Sequence, residues 1–146
     1  MRVAILLFAE FEALDVYGPV EVFGSSDKFQ LFTVAATKGE IRSRQGPLTV
    51  ARHSFSDDCP LFDVLLVPGG QGTREEVNNR ELLSWLSTIA QKHETSILSV
   101  CTGAALLAKA GVLNNRSATT NKRAFSWVQG LMPDSDIQWV KQARSV

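Results

Sequence analysis

Ser96-Ile97-Leu98-Ser99-Val100-Cys101-Thr102-Gly103-Ala104-Ala105-Leu106-Leu107-Ala108-Lys109-Ala110-Gly111 is the stretch whose reading decides the fold. Ser96–Val100 reads as a short strand that runs straight into Cys101-Thr102-Gly103. The alanines and leucines after it read as a helix closed by Gly111. A strand, a sharp turn and a helix therefore meet at a cysteine. Upstream, Arg2–Phe8 and Phe62–Val67 are short apolar runs of the kind found in strands buried on both faces, the second ending at Pro68-Gly69-Gly70. Phe29–Thr37 is a further strand candidate, and Ile41–Arg44 with Leu48–Arg52 form a pair around the turn Gln45-Gly46-Pro47. Asp15–Phe23 carries Val16, Val20 and Phe23 at helical spacing, with Pro19 assigned to the first turn. Asn79–Lys92 is a helix behind an Asn cap, with Leu82, Leu83, Leu86, Ile89 and Ala90 on one face. Downstream, Ser117–Thr120 reads as a strand, Lys122–Met132 as a helix and Ile137–Lys141 as a last strand. Strands alternating with helices predict an α/β fold with a mostly parallel sheet and helices on both faces.

The chain has 146 residues, 45% of them hydrophobic, with 15 Lys+Arg against 15 Asp+Glu and two cysteines. That length forms a single domain, 1–146, with a core that needs neither disulfides nor a structural metal. A balanced charge gives no broad basic face for phosphate backbones, so no nucleic-acid partner is expected. The longest nearly uncharged run, Ser96–Ala108, is too short and too interrupted to span a bilayer, so no membrane partner is expected either. The opening residues read as a strand rather than a secretory signal, which predicts a cytoplasmic protein with free thiols.

In open α/β sheets ligands gather beyond the carboxyl ends of the strands. Three segments lie there: Glu10 to Asp15, Gly69-Gly70-Gln71-Gly72, and Cys101. Cysteines at helix N-termini ionise more readily than free ones, so Cys101 is a nucleophile candidate; the alternative is inert packing. Gly69-Gly70 is either a plain turn or part of an anion hole, in which a free Gly70 amide and the Thr102 amide face charge developing on a substrate. Asp15 is either a helix N-cap or a general acid/base beside the sulfur. His53 and His93 show no metal-ligand spacing and read as surface residues. Cys59, following Asp57-Asp58, reads as a loop thiol, and Trp85, Trp127 and Trp139 read as packing. No phosphate loop or GxGxxG follows any strand, so neither cofactor nor metal is expected.

Together these residues resemble the ThiJ/PfpI family of the class I glutamine amidotransferase-like superfamily. The resemblance is carried in order by Leu14-Asp15-Val16-Tyr17-Gly18-Pro19-Val20-Glu21-Val22-Phe23, Ser54-Phe55-Ser56-Asp57, Phe62 to Gly70, Ser99-Val100-Cys101-Thr102-Gly103-Ala104, Ala110-Gly111-Val112-Leu113 and Ala118-Thr119-Thr120. The forms around Asp15 and Cys101 look most like the isonitrile hydratase branch and the sensing domains of AraC-type regulators. This resemblance implies a flavodoxin-like three-layer sandwich and a homodimer. For the site it implies Cys101 as nucleophile on a strained elbow, Asp15 as the carboxyl bonded to it, and Thr102 and Gly70 as backbone donors. The implied activity is cysteine-dependent hydration of a small isonitrile to an N-substituted formamide. A non-catalytic sensing domain, or glyoxalase- or deglycase-like repair, are the alternatives. Relatives read His where this chain has Asn121, so a Cys–His pair is not expected. Relatives also continue past the region of Val140 through another strand and a helix. A shortened chain is therefore expected either to take that cover from a partner subunit or to be an inactive homologue.

Overall fold

A computed structural model describes residues 1–56, 59–92 and 94–146. Asp57, Asp58 and His93 lie outside the described residues. The elements in chain order are β1 (Arg2–Leu6), α1 (Ala13–Gly24), β2 (Gln30–Ala35), β3 (Gly39–Arg42), β4 (Leu48–Ala51), β5 (His53–Ser54), β6 (Val64–Val67), α2 (Thr73–Glu76), α3 (Arg80–Ala90), β7 (Ser96–Ser99), α4 (Gly103–Lys109), β8 (Ser117–Ala118), α5 (Phe125–Gly130) and β9 (Gln138–Trp139).

Five strands form a parallel sheet in the order β5-β2-β1-β6-β7. Its centre is β1, where Val3 is level with Leu31 of β2 on one side and Val64 of β6 on the other. Val3, Ala4 and Leu6 are fully buried, as are Leu65 and Val67. That explains why both strands read as unbroken apolar runs rather than as alternating ones. The chain is an α/β protein with helices around a mostly parallel sheet, as its pattern predicted.

The expected antiparallel pair is β3 with β4, Gly39 level with Ala51 and Arg42 with Leu48. The final two strands differ from expectation: β8 and β9 pair with each other in a separate parallel ribbon rather than extending the main sheet. Helix α3 starts at its Asn cap, whose Oδ1 accepts from the Leu82 N–H at 3.2 Å, and buries Leu82, Leu86 and Ile89. Helix α4 is buried from Gly103 to Ala108, so its alanines and leucines meet protein on every side. The single-turn α2 has no apolar periodicity and was not legible in sequence. Pro19 is a correction: α1 begins at Ala13, which leaves the proline in the helix interior rather than in its first turn. There its ring opposes the Asp15 carbonyl four residues earlier. Among the described residues no helix is long and apolar enough to cross a membrane.

Candidate active site

The carboxyl ends of β1, β6 and β7 lie side by side, and the loops leaving them build one site. The β7 exit is the sharpest. Cys101 has φ of +54°, in the left-handed region that costs a non-glycine residue about 1–2 kcal/mol, and α4 begins two residues later. The strain is held in place by its neighbours: Gly103 N–H donates to Val100 O at 2.9 Å, and Thr120 Oγ1 donates to Cys101 O at 2.8 Å.

The β6 exit is clamped against that turn. Thr102 Oγ1 accepts from the Gly70 N–H at 3.0 Å and from Thr73 Oγ1 at 3.1 Å. Thr73 Oγ1 also reaches Gly70 O at 2.7 Å. Thr102 is almost wholly buried, and Thr73 completely so. Gly70 has φ of +128°, and a Cβ there would lie 2.4 Å from Glu12 N and 2.5 Å from Glu10 O. A side chain has no room, so the glycine is required for the strand exit to meet the β1 exit. One expectation needs correcting here. The Gly70 amide is not free to meet a substrate, because the Thr102 hydroxyl occupies it.

The β1 exit carries the acid. Phe11 is fully buried and bridges to Ser43 on one side and Gly70 on the other. Gln45 then holds the start of α1, accepting from Ala13 N–H at 3.1 Å and donating to the Glu12 carboxylate. The N-cap position falls on Glu12, so Asp15 is not the cap but lies in the first turn of α1. Its Oδ2 accepts from Gly69 N–H at 3.0 Å, and its carboxyl hydrogen-bonds Cys101. Burial pushes the Asp15 acid above the usual carboxylate range. The Gly69 hydrogen bond opposes that rise, nearby Glu12 adds to it, and the Cys101 contact opposes it.

A further residue touches the sulfur. Asn121 Nδ2 donates to Cys101 Sγ at 3.0 Å, while Asn121 Oδ1 accepts from Arg123 N–H at 2.9 Å. The second bond decides the orientation of the amide: its oxygen is engaged by a backbone donor, so its NH₂ faces the sulfur. The sequence marked Asn121 only as the loss of a histidine. That the position faces the nucleophile would have been readable from the likeness to Ala-Thr-Thr-His, but its donor role depends on the Arg123 turn.

Asp15, Cys101 and Asn121 line one cavity of about 420 Å³, with Lys122 and Arg144 at its rim. A second cavity of about 440 Å³ between α3 and the end of α4 holds no nucleophile, so chemistry rather than size singles out the first. The remaining candidates fall elsewhere. Cys59 is a half-buried cysteine outside any disulfide and lines a different cavity, with Phe55 and Trp85. Trp85 stacks on Phe55 at 4.4 Å, and Trp139 meets Phe125 edge-on at 6.0 Å. Arg74 lies over the Trp127 ring at 4.6 Å. Among the described residues no three His, Cys, Asp or Glu side chains gather to hold a metal.

The family model for the DJ-1/PfpI family matches residues 1–142. The chain belongs to the DJ-1/PfpI family. Isonitrile hydratase from Pseudomonas putida is 31% identical over 121 residues, covering 83% of this chain and 52% of that protein. A deglycase from Pyrococcus horikoshii is 25% identical over 144 residues, covering 96% of this chain and 81% of the relative. Among solved structures, a ThiJ/PfpI family protein from Pseudomonas syringae superposes with a TM-score of 0.79 at 26% identity, over 89% of this chain and 54% of its own. The chain thus spans about half the length of the isonitrile hydratase and of that Pseudomonas structure.

Proposed function

We propose that this DJ-1/PfpI domain is a cysteine-dependent hydro-lyase that adds water to a small isonitrile and releases an N-substituted formamide. The observation that carries the reading is the pair of polar groups on one sulfur: a carboxyl with raised proton affinity and an amide donor both meet Cys101. An isonitrile needs a nucleophile and a proton at the same terminal carbon. The Cys101 sulfur adds there as Asp15 delivers its proton, giving a thioimidate with a new S–C and a new C–H bond. Water then attacks that carbon and gives a proton to the Asp15 carboxylate. The remaining hydroxyl proton of that adduct moves to the nitrogen as the C=O forms, the C–S bond breaks, and the formamide leaves with the thiolate regenerated. Raised proton affinity suits Asp15 to both steps, giving a proton as the S–C bond forms and taking one back from water.

Thr102 and Gly70 act in this scheme as positioning residues, their hydroxyl–amide bond holding the elbow against the β6 exit. No cofactor takes part. Glyoxal- or deglycase-type repair is less favoured, because Asn121 supplies a donor but no base at the position facing the sulfur. The enzyme works as a homodimer. Supporting this, α1 exposes Leu14, Tyr17 and Val22, and β4, tied to α1 by Tyr17 OH and Thr49 Oγ1 at 2.6 Å, exposes Leu48 and Val50.

The decisive experiment measures formamide release from a panel of isonitriles by the purified protein, with Cys101→Ser and Asp15→Asn alongside. Turnover is expected from the wild type and from neither variant. Turnover that persists in Cys101→Ser would refute the mechanism, and no turnover on any isonitrile or aldehyde would favour a non-catalytic sensing domain.

A further inference from the structure

We propose that Arg144 and Lys122 make the Cys101 pocket selective for substrates that carry a carboxylate elsewhere in the same small molecule as the reacting carbon. The proposal rests on Cys101 being the nucleophile and adds the class of substrate it meets.

The chain as a whole is neutral, with 15 basic and 15 acidic residues, so a local excess of one sign needs a local cause. Around this cavity the charged side chains are Asp15, Lys122 and Arg144. Asp15 is engaged by Gly69 N–H and Cys101, and the nearby Glu12 carboxylate by Gln45. Neither cation has an acidic partner among the described residues. Lys122 Nζ donates to two neutral oxygens, Thr119 Oγ1 at 3.1 Å and Ala143 O, which leaves one of its three N–H groups uncommitted. Arg144 makes no hydrogen bond, ion pair or ring contact with any described residue, so its five donors are uncommitted among the described residues.

Exposed cations usually face only water, and what sets these two apart is how they are held. Val140 N–H donates to Ala118 O at 2.8 Å, and Thr119 Oγ1 donates to Ala143 O at 3.3 Å. With the Lys122 bond to the same carbonyl, these contacts strap residues 140–143 across 118–122, the segment that also carries Asn121. The strap fixes the backbone beside Arg144 at the rim of the nucleophile's own cavity. A guanidinium there matches a carboxylate in bidentate geometry, and the Lys122 ammonium adds a second charge. Such a substrate enters with its reacting carbon toward Cys101 Sγ and its anion toward the strap.

The test compares alkylation of Cys101 in the intact protein by iodoacetate and by iodoacetamide, two reagents alike in size and differing in charge. In each case the sulfur–carbon bond forms as the carbon–iodine bond breaks, iodide leaves, and the thiol proton goes to solvent. Mass spectrometry reads Cys101 and Cys59 separately, so Cys59 serves as the reference thiol. The iodoacetate-to-iodoacetamide rate ratio is expected to be about fivefold higher at Cys101 than at Cys59 at low salt, the scale of one or two exposed charges. It should fall in Arg144→Gln, reach the Cys59 value in Arg144→Gln/Lys122→Gln, and decline in about 0.5 M sodium chloride as the charges are screened. A ratio equal to that of Cys59, or one unmoved by the double substitution, overturns the proposal. The iodoacetamide rate and the formamide assay report on the nucleophile and the hydratase reading separately, so either can fail without the other.

Discussion

Asn121 Nδ2 lies 3.0 Å from Cys101 Sγ, held there because the backbone of Arg123 takes the amide oxygen. A neutral donor thus stands where the family resemblance leads one to look for an imidazole. The consequence is a sulfur supported by hydrogen bonding rather than by a neighbouring base. A hydrogen bond contributes about 0.5–1.5 kcal/mol, so Asn121→Ala should slow iodoacetamide alkylation of Cys101 by about two- to tenfold. An unchanged rate would show that the amide leaves the sulfur in solution.

The two thiols should differ. Cys101 sits just before α4 on a left-handed turn, and Cys59 lies outside any helix. Under limiting iodoacetamide near neutral pH, peptide mapping is expected to find Cys101 labelled well before Cys59. Equal labelling would count against the elbow as the source of reactivity.

Asp15 predicts a pH dependence. Burial raises its proton affinity, so the native chain holds that proton more tightly than the unfolded one does. The stability this group contributes is complete below the ordinary aspartate pKa of about 3.9 and is lost as pH rises through its higher folded value. Asp15→Asn keeps an acceptor for the Gly69 N–H and escapes that loss. Urea titrations should therefore find the variant at least as stable as wild type at pH 7, with the difference shrinking as pH falls toward 4. Formamide release, by contrast, should vanish.

Gly69 has no room for a methyl group. A Cβ there would lie 2.6 Å from Thr102 N, 2.7 Å from Thr102 Oγ1 and 2.9 Å from Asp15 Oδ2. Two of those atoms belong to the elbow and one to the acid, so Gly69→Ala must push them apart. The expected cost is about 1–3 kcal/mol in unfolding free energy, with Cys101 alkylation slowed as well. A variant with wild-type stability and reactivity would mean that this junction yields freely.

The dimer is tested on its own face. Leu14 is 74% exposed and Val22 72% exposed, both on α1 and clear of the core. Light scattering at micromolar concentration should give twice the chain mass for the wild type and a monomer for Leu14→Arg/Val22→Arg. A monomer mass for the wild type throughout would remove the dimer.

Much of the fold was present in local pattern. Val64–Val67 and Arg2–Leu6 are apolar without alternation because both faces of the sheet centre are covered, and that alone predicts parallel strands. The Asn79 cap and the Leu82–Leu86–Ile89 stripe are similarly one-dimensional signals, and α3 follows them to within a residue or two. Where the signal was short, the boundaries moved. Helix α5 begins at Phe125 rather than Lys122, and the β8–β9 ribbon stands apart from the sheet, because two-residue strands take their partners from tertiary packing.

By itself the sequence determined the α/β class, the strand–cysteine–helix junction and the candidate site residues Cys101 and Asp15. Each of these is encoded in neighbouring residues through periodicity, turn chemistry and residue type. Only the tertiary structure decided which polar groups meet which. It took the Gly70 amide for the Thr102 hydroxyl, moved Asp15 from a cap to the sulfur, and turned Asn121 from a missing histidine into a donor. It also brought Arg144 to line the same pocket. The physical reason is the same throughout: a hydrogen bond depends on tenths of an ångström between atoms of residues far apart in the chain, 20 positions for Asn121 and Cys101 and 32 for Gly70 and Thr102, and no local pattern encodes that distance.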